Sequence, residues 1–334
     1  MFNSKFLAAA LCAAILVPGA AAARDQLQIT GSSTVLPFAT IVAESFGQNT
    51  SFKTPVVEGG GTGAGIARFC EGVGEGFVDI ANASRPMKSS EKKACAANGV
   101  KDILEVKIGF DGVVFASERS MGPAIAFTPS NWYNALAKDV VIGGKLVPNP
   151  YSRWNQIDGN LPDQEILALI PGSKHGTREV FDQKVIQKGC GMFGADKLIK
   201  ARDGKADACI ALRTDGHVVE IDGDYTETLA RLKANKNAIG VFGLSFYENN
   251  TNTLQVSSYQ GVVPSQATVA SGKYPVSRPL FMYVKKAHIG VIPGLMEYVR
   301  FFVSNDIAGP GGPLVAYGLV ADPALAKTQA KVAN

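Results

Sequence analysis

The chain is poor in residues that build metal and nucleophile sites. It has only three histidines in 334 residues, and no Cys-x-x-Cys pair to set beside them. The histidines lie far from the cysteines, so a zinc-type cluster has no support from spacing. No Gly-x-x-x-x-Gly-Lys-Ser/Thr segment occurs, which removes the usual signature of nucleotide hydrolysis. No Gly-x-Ser-x-Gly elbow occurs either, so the common serine-hydrolase turn is missing. Lysines and arginines are scattered and not interleaved with aromatics, which makes nucleic acid a poor partner. The formal net charge is only +4, compatible with an anionic or a neutral ligand. After the first residues, no apolar run reaches membrane-spanning length.

The start of the chain carries more information. Lys5 precedes an apolar run from Phe6 to Val17, followed by Pro18-Gly19 and a string of alanines. That is the three-part pattern of a secretory signal peptide, expected over residues 1–23, with periplasmic localisation as the consequence. Cys12 would leave with it. The four remaining cysteines, an even number in an exported chain, are expected to form two disulfides. The local pairings Cys70–Cys95 and Cys190–Cys209 each close a modest loop inside one expected domain.

Along the mature chain, short β-rich runs alternate with helical patterns. Leu27–Thr30, Val56–Glu58 and Phe77–Ile80 read as strands. Between the first two, Phe38, Val42 and Phe46 share one helical face. Ser89-Ser90-Glu91-Lys92 reads as the capped start of a further helix. The rhythm predicts an open α/β sheet with parallel strands. It resumes after residue 160, with strands at 166–170 and 238–242 and a helix from Thr177 to Ile186. The apolar runs 112–116 and 280–284 read as crossing strands, so the fold expected is two α/β lobes joined by two crossing segments.

Candidate chemistry concentrates where strands hand over to helices. Gly31-Ser32-Ser33-Thr34, the glycine-rich turn Gly59–Gly65, and Gly172-Ser173-Lys174-His175-Gly176-Thr177 each offer hydroxyls beside a helix N-terminus. Such termini favour anions through their dipole and exposed N–H groups. In open α/β sheets they lie at the carboxyl ends of strands, where ligands bind. Ser84-Arg85 adds a hydroxyl and a cation at another strand end. Serine and threonine are also common caps and glycine a common turn residue, but four such turns together point to a small oxyanion. The near-match to a dinucleotide fingerprint at Gly59-x-Gly61-x-x-Ala64, with Asp79 beyond it, conflicts with export. No cofactor is implied.

The segments ITGSSTVLPF, VVEGGGTGAGIARFCEG, VDIANASRPMKSSEKKAC, GTREVF and SRPLFMYV, in that order, resemble the periplasmic phosphate-binding proteins of the bacterial high-affinity phosphate ABC transporter, in the branch with NASRP. The resemblance implies a hinged, two-lobe, type II periplasmic-binding-protein fold. Its lobes would be residues 24–112 plus 278–334, and 113–277. It implies a monomeric, non-enzymatic protein that captures inorganic phosphate and hands it to a membrane permease. By the same resemblance Ser33, Thr34, the Val35 amide, Thr62, Ser84, Gly176 and Thr177 fall in ligand-binding positions. Arg85, Ser173 and His175 depart from the family's better-known pattern. Arg85 stands where some members have an aspartate, so it is expected to contact the anion, and the acceptor for the ligand's proton must come from elsewhere. Glu58, Asp79, Asp111, Glu179 and neutral His175 are the candidates. Sulfate, molybdate, a secreted phosphate-handling enzyme and a surface-interaction protein are the alternative readings.

Overall fold

The computed structural model describes residues 24–173, 175–204, 209–222 and 225–333. The expected signal peptide lies outside them. Strand β1 (Gln28–Gly31) leads into helix α1 (Leu36–Asn49), β2 (Val56–Glu58) into α2 (Thr62–Phe69), and β3 (Ile80–Ala83) into α3 (Ser89–Ala97). β1 pairs in parallel with both β2 and β3, as the alternating pattern predicts. The third strand lies three residues later than its apolar run suggested: it contains Ala81-Asn82-Ala83, and the chain before it is a turn closed by Phe77 N to Gly74 O.

Strand β4 (Ile103–Glu118) is sixteen residues long and crosses between the two halves of the molecule. Its first part pairs antiparallel with the strand Ser277–Lys285, which continues onto β3. Its last part pairs with Ile239–Gly243 and Leu254–Val256, and beyond Ile239–Gly243 come Ala168–Pro171 and Val218–Ile221. Because β4 serves both halves, one hydrogen-bonded ladder of nine strands runs through the whole molecule. The side chains sort into separate cores. One large cluster draws on residues between 110 and 276 plus Val320; another draws on residues between 27 and 108 and between 280 and 332. The result is a two-lobed α/β architecture.

Glycine content in the second turn has a packing cause. A Cβ on Gly65 would lie 2.2 Å from Gly31 Cα, and one on Gly31 would lie 2.1 Å from Asn82 O. Helix α2 therefore sits directly on β1, which brings its first residue, Thr62, up to the end of β3. Both expected disulfides, Cys70–Cys95 and Cys190–Cys209, are formed. The first ties Cys70, the residue that ends α2, to Cys95 of α3.

Asp79 belongs to the scaffold. It is fully buried just before β3 and receives two Arg24 nitrogens (2.7 and 3.0 Å) and the Gln28 N–H (2.8 Å); His288 Nδ1 is 2.6 Å away. Burial alone would raise its carboxyl, but the bonds from His288 and Arg24 outweigh this and hold it below the usual range. A carboxyl lowered by folding stabilises the protein fully above its unfolded value and loses that contribution as pH falls through the folded value. Stability in urea is therefore expected to fall steadily below about pH 4, and Asp79→Asn is expected to cost about 3–5 kcal/mol at neutral pH and to flatten that acid limb.

Candidate functional site

The turn after β1 is organised by Ser32. Its hydroxyl accepts from the N–H groups of Thr34 (3.2 Å) and Val35 (3.4 Å), and its carbonyl accepts from Val35 and Leu36. This winds the start of α1 tightly and turns the buried Thr34 side chain toward the interior. It also occupies the Val35 amide, which donates to Ser32 and not into open space. Ser33 and Thr34 line a cleft of about 600 Å³ that also touches Asp111, His175 and Thr177.

The end of β3 supplies the second hydroxyl. Ser84 Oγ is 3.1 Å from Thr62 Oγ1, and the Ser84 N–H donates to the same Thr62 oxygen at 3.1 Å. Thr62 thus holds Ser84 in place, a consequence of α2 packing close on β1.

The cation between these hydroxyls is Arg278. Its Nη1 donates to Ser84 Oγ at 3.1 Å and its Nη2 donates to Thr34 Oγ1. Arg278 lies directly opposite Asp111 in the antiparallel register of the two crossing strands. The two are 3.7 Å apart between Nε and Asp111 Oδ2, too far for a direct hydrogen bond, and both are buried. Glu179 Oε2 approaches Arg278 Nη2 at 3.9 Å and Thr34 Oγ1 at 3.5 Å. The guanidinium therefore has two carboxylates nearby but spends its strongest donors on hydroxyls. Burial pushes the Asp111 carboxyl upward against the attraction of Arg278, and burial likewise pulls Arg278 down against Asp111 and Glu179.

From the facing half, Thr177 Oγ1 is hydrogen-bonded to Tyr225 OH at 2.5 Å. Burial raises the Tyr225 phenol well above its ordinary range, so its hydroxyl keeps its proton throughout physiological pH. Gly176 opens the short helix Gly176–Phe181 that carries Thr177 and Glu179. His175 lines the cleft with Nε2 3.3 Å from the Asp222 carbonyl.

Two expected contacts lie elsewhere. Arg85 turns away from the hydroxyls: its guanidinium pairs with both Glu91 oxygens (2.7 and 2.9 Å) and with the Pro86 carbonyl. Glu91 also accepts from the Lys88 N–H at 2.7 Å, so the pair closes the start of α3. Ser173 is exposed and does not line the cleft. Of the acceptor candidates, Glu58 pairs with Arg68 on the surface and Asp79 is committed to the scaffold. Asp111, Glu179 and His175 remain at the site. We expect Arg85→Ala to change oxyanion affinity less than about threefold, and to cost no more than about 1 kcal/mol of stability as a partly exposed pair. Calorimetric titration alongside thermal unfolding checks both.

Arg278 and Tyr225 were not singled out by sequence reasoning. For Arg278 a signal existed: it is a charged residue just ahead of the apolar run 280–284, as Asp111 is just ahead of the run 112–116. Tyr225 carries no such signal.

The fold is two-lobed α/β, and the PBP superfamily domain matches residues 16–306 of this chain. The chain belongs to that superfamily. It is 30% identical over 297 residues to Protein SphX of Synechococcus elongatus, covering 86% of this chain and 75% of that one. It is 29% identical over 280 residues to phosphate-binding protein PstS of Staphylococcus haemolyticus, covering 82% and 75%. The crystal structure of a possible phosphate binding protein from Planctomyces limnophilus superimposes with a TM-score of 0.68 at 25% identity, over 92% of this chain and 97% of that one.

Proposed function

We propose that this is an exported, monomeric solute-binding protein that captures inorganic phosphate and presents it to the permease of an ABC importer. The observation that carries the reading is the buried Arg278 guanidinium, reaching the Ser84 and Thr34 hydroxyls beside Asp111. Relatives named as phosphate-binding proteins support the same ligand. Arg278 supplies charge-assisted hydrogen bonds, the hydroxyls of Thr34 and Ser84 add neutral donors, and Thr177 with Tyr225 closes from the other lobe. Asp111 accepts the proton that phosphate carries and sulfate lacks. The lobes are residues 24–112 plus 278–334, and 113–277, with the hinge where the crossing strands pass Gly112 and Ser277. Closure around the ligand is the state a permease would read. The chemistry is binding without turnover.

A competition titration on ligand-stripped protein tests this reading. Phosphate is expected to bind in preference to sulfate by at least about a hundredfold, and arsenate, which is protonated like phosphate, to compete effectively. Equal binding of phosphate and sulfate at neutral pH would remove Asp111 as the acceptor. Phosphate release from a chromogenic ester, abolished by a chelator, would favour an enzyme instead.

A further inference from the structure

The cleft is larger than a tetrahedral oxyanion requires. Its volume of about 600 Å³ falls within the range of clefts that enclose organic ligands. Thr34 and Asp111, which meet Arg278, mark the cleft's polar end, and away from them the lining continues over largely apolar surface. Leu36, Pro37 and Ile41 face it from α1, Phe246 from the helix Leu244–Glu248, and Tyr317 from the helix Pro313–Tyr317. Tyr317 is 47% exposed and the other four are half-buried. This surface is also built, not loose. The Phe246 ring stacks on Phe242 at 5.3 Å and packs against Tyr225 at 5.2 Å, while Tyr317 meets Phe38 edge-on at 5.8 Å. Tyr225 joins the two regions, with its hydroxyl on Thr177 and its ring against Phe246.

We propose that the cleft also takes monosubstituted phosphorus oxyanions, namely phosphonates bearing a small aryl or alkyl group. This rests on reading the Arg278 end as the oxyanion site. The phosphonate head would occupy that end, and its substituent would cover the apolar wall, a favourable burial in proportion to area. Asp111 decides between phosphonates and phosphate esters. A carbon substituent withdraws fewer electrons from phosphorus than an alkoxy oxygen does, so a phosphonate holds its second proton more tightly. At neutral pH more of it can therefore offer that proton to the carboxylate. An ester of the same size arrives mainly as the dianion and leaves Asp111 facing bare oxygens.

The test is a set of calorimetric titrations of ligand-stripped protein at neutral pH with inorganic phosphate, methylphosphonate and phenylphosphonate. Phenylphosphonate is expected to bind at least tenfold more tightly than methylphosphonate. Ile41→Asp is expected to cut that ratio severalfold, and the ratio cancels any general loss of affinity in the variant. If phosphate binds but the phenyl compound binds no better than the methyl one, the apolar wall does not serve the ligand and the proposal fails alone. If phosphate does not bind, the oxyanion reading fails and takes this one with it. Should Ile41→Asp not fold, the comparison of the two phosphonates on the unaltered protein still decides.

Discussion

Arg278→Ala is expected to weaken phosphate binding by about thirtyfold to several thousandfold, the equivalent of about 2–5 kcal/mol for losing one member of a buried charge arrangement. Three effects add in one direction. The anion loses its charge-assisted donors. Thr34 and Ser84 lose the group that orients their oxygens. Asp111 and Glu179 are left as uncompensated negative charge beside the ligand. Arg278→Lys restores the charge but cannot reach both hydroxyls from one planar group, so only part of the affinity should return. Isothermal titration of the two variants gives the comparison, with thermal unfolding to separate binding from folding. Affinity in Arg278→Ala within threefold of the original would exclude Arg278 from the site.

Asp111→Asn is expected to change selectivity more than affinity. A buried carboxylate can accept the proton of phosphate but meets only lone pairs on sulfate, and mismatches of this kind reject isosteres strongly. An amide can donate as well as accept, so the phosphate-to-sulfate preference should fall by about a hundredfold or more. Acid should do the same to the unaltered protein. Burial raises the Asp111 carboxyl, so it takes up a proton at a higher pH than an ordinary carboxyl and begins to tolerate sulfate there. Competition at several pH values, with Asp111→Asn as the pH-insensitive control, measures both effects. A preference for phosphate that survives in Asp111→Asn would assign the discrimination to Glu179 or to another acceptor.

Much of the architecture was legible because it depends on local periodicity. The β-α alternation of residues 27–97 and the helical face of Phe38, Val42 and Phe46 follow from spacing alone. The two disulfides, each bridging a short separation, match the local pairing among the three that four cysteines allow. The strand end at residues 80–83 was misplaced because the apolar run 77–80 includes Phe77 in a turn and Asp79 in a buried ion network, neither of which has strand periodicity to reveal it. From their strand-to-helix turns, Thr34, Thr62, Ser84 and Thr177 were legible as candidates. The cation was not, because two residues of one turn gave no sign of which way a side chain points. Arg85 is drawn to Glu91, which faces back from the third position of α3. Arg278 reaches the hydroxyls only through the register of two crossing strands distant in sequence. A charge of opposite sign just ahead of each apolar run, Asp111 before 112–116 and Arg278 before 280–284, was the readable trace of that pairing.

That register has a kinetic consequence. Arg278 and Asp111 sit on the strands about which the lobes would turn, so their separation changes little as the cleft opens. Thr177 and Glu179 ride on the far side and would move with it. Arrival of the anion would then depend on an anchor that is ready in the open form, and its escape on how long the far side stays shut. Substitutions at Thr177 or Tyr225 should therefore shorten residence time while leaving the association rate nearly unchanged.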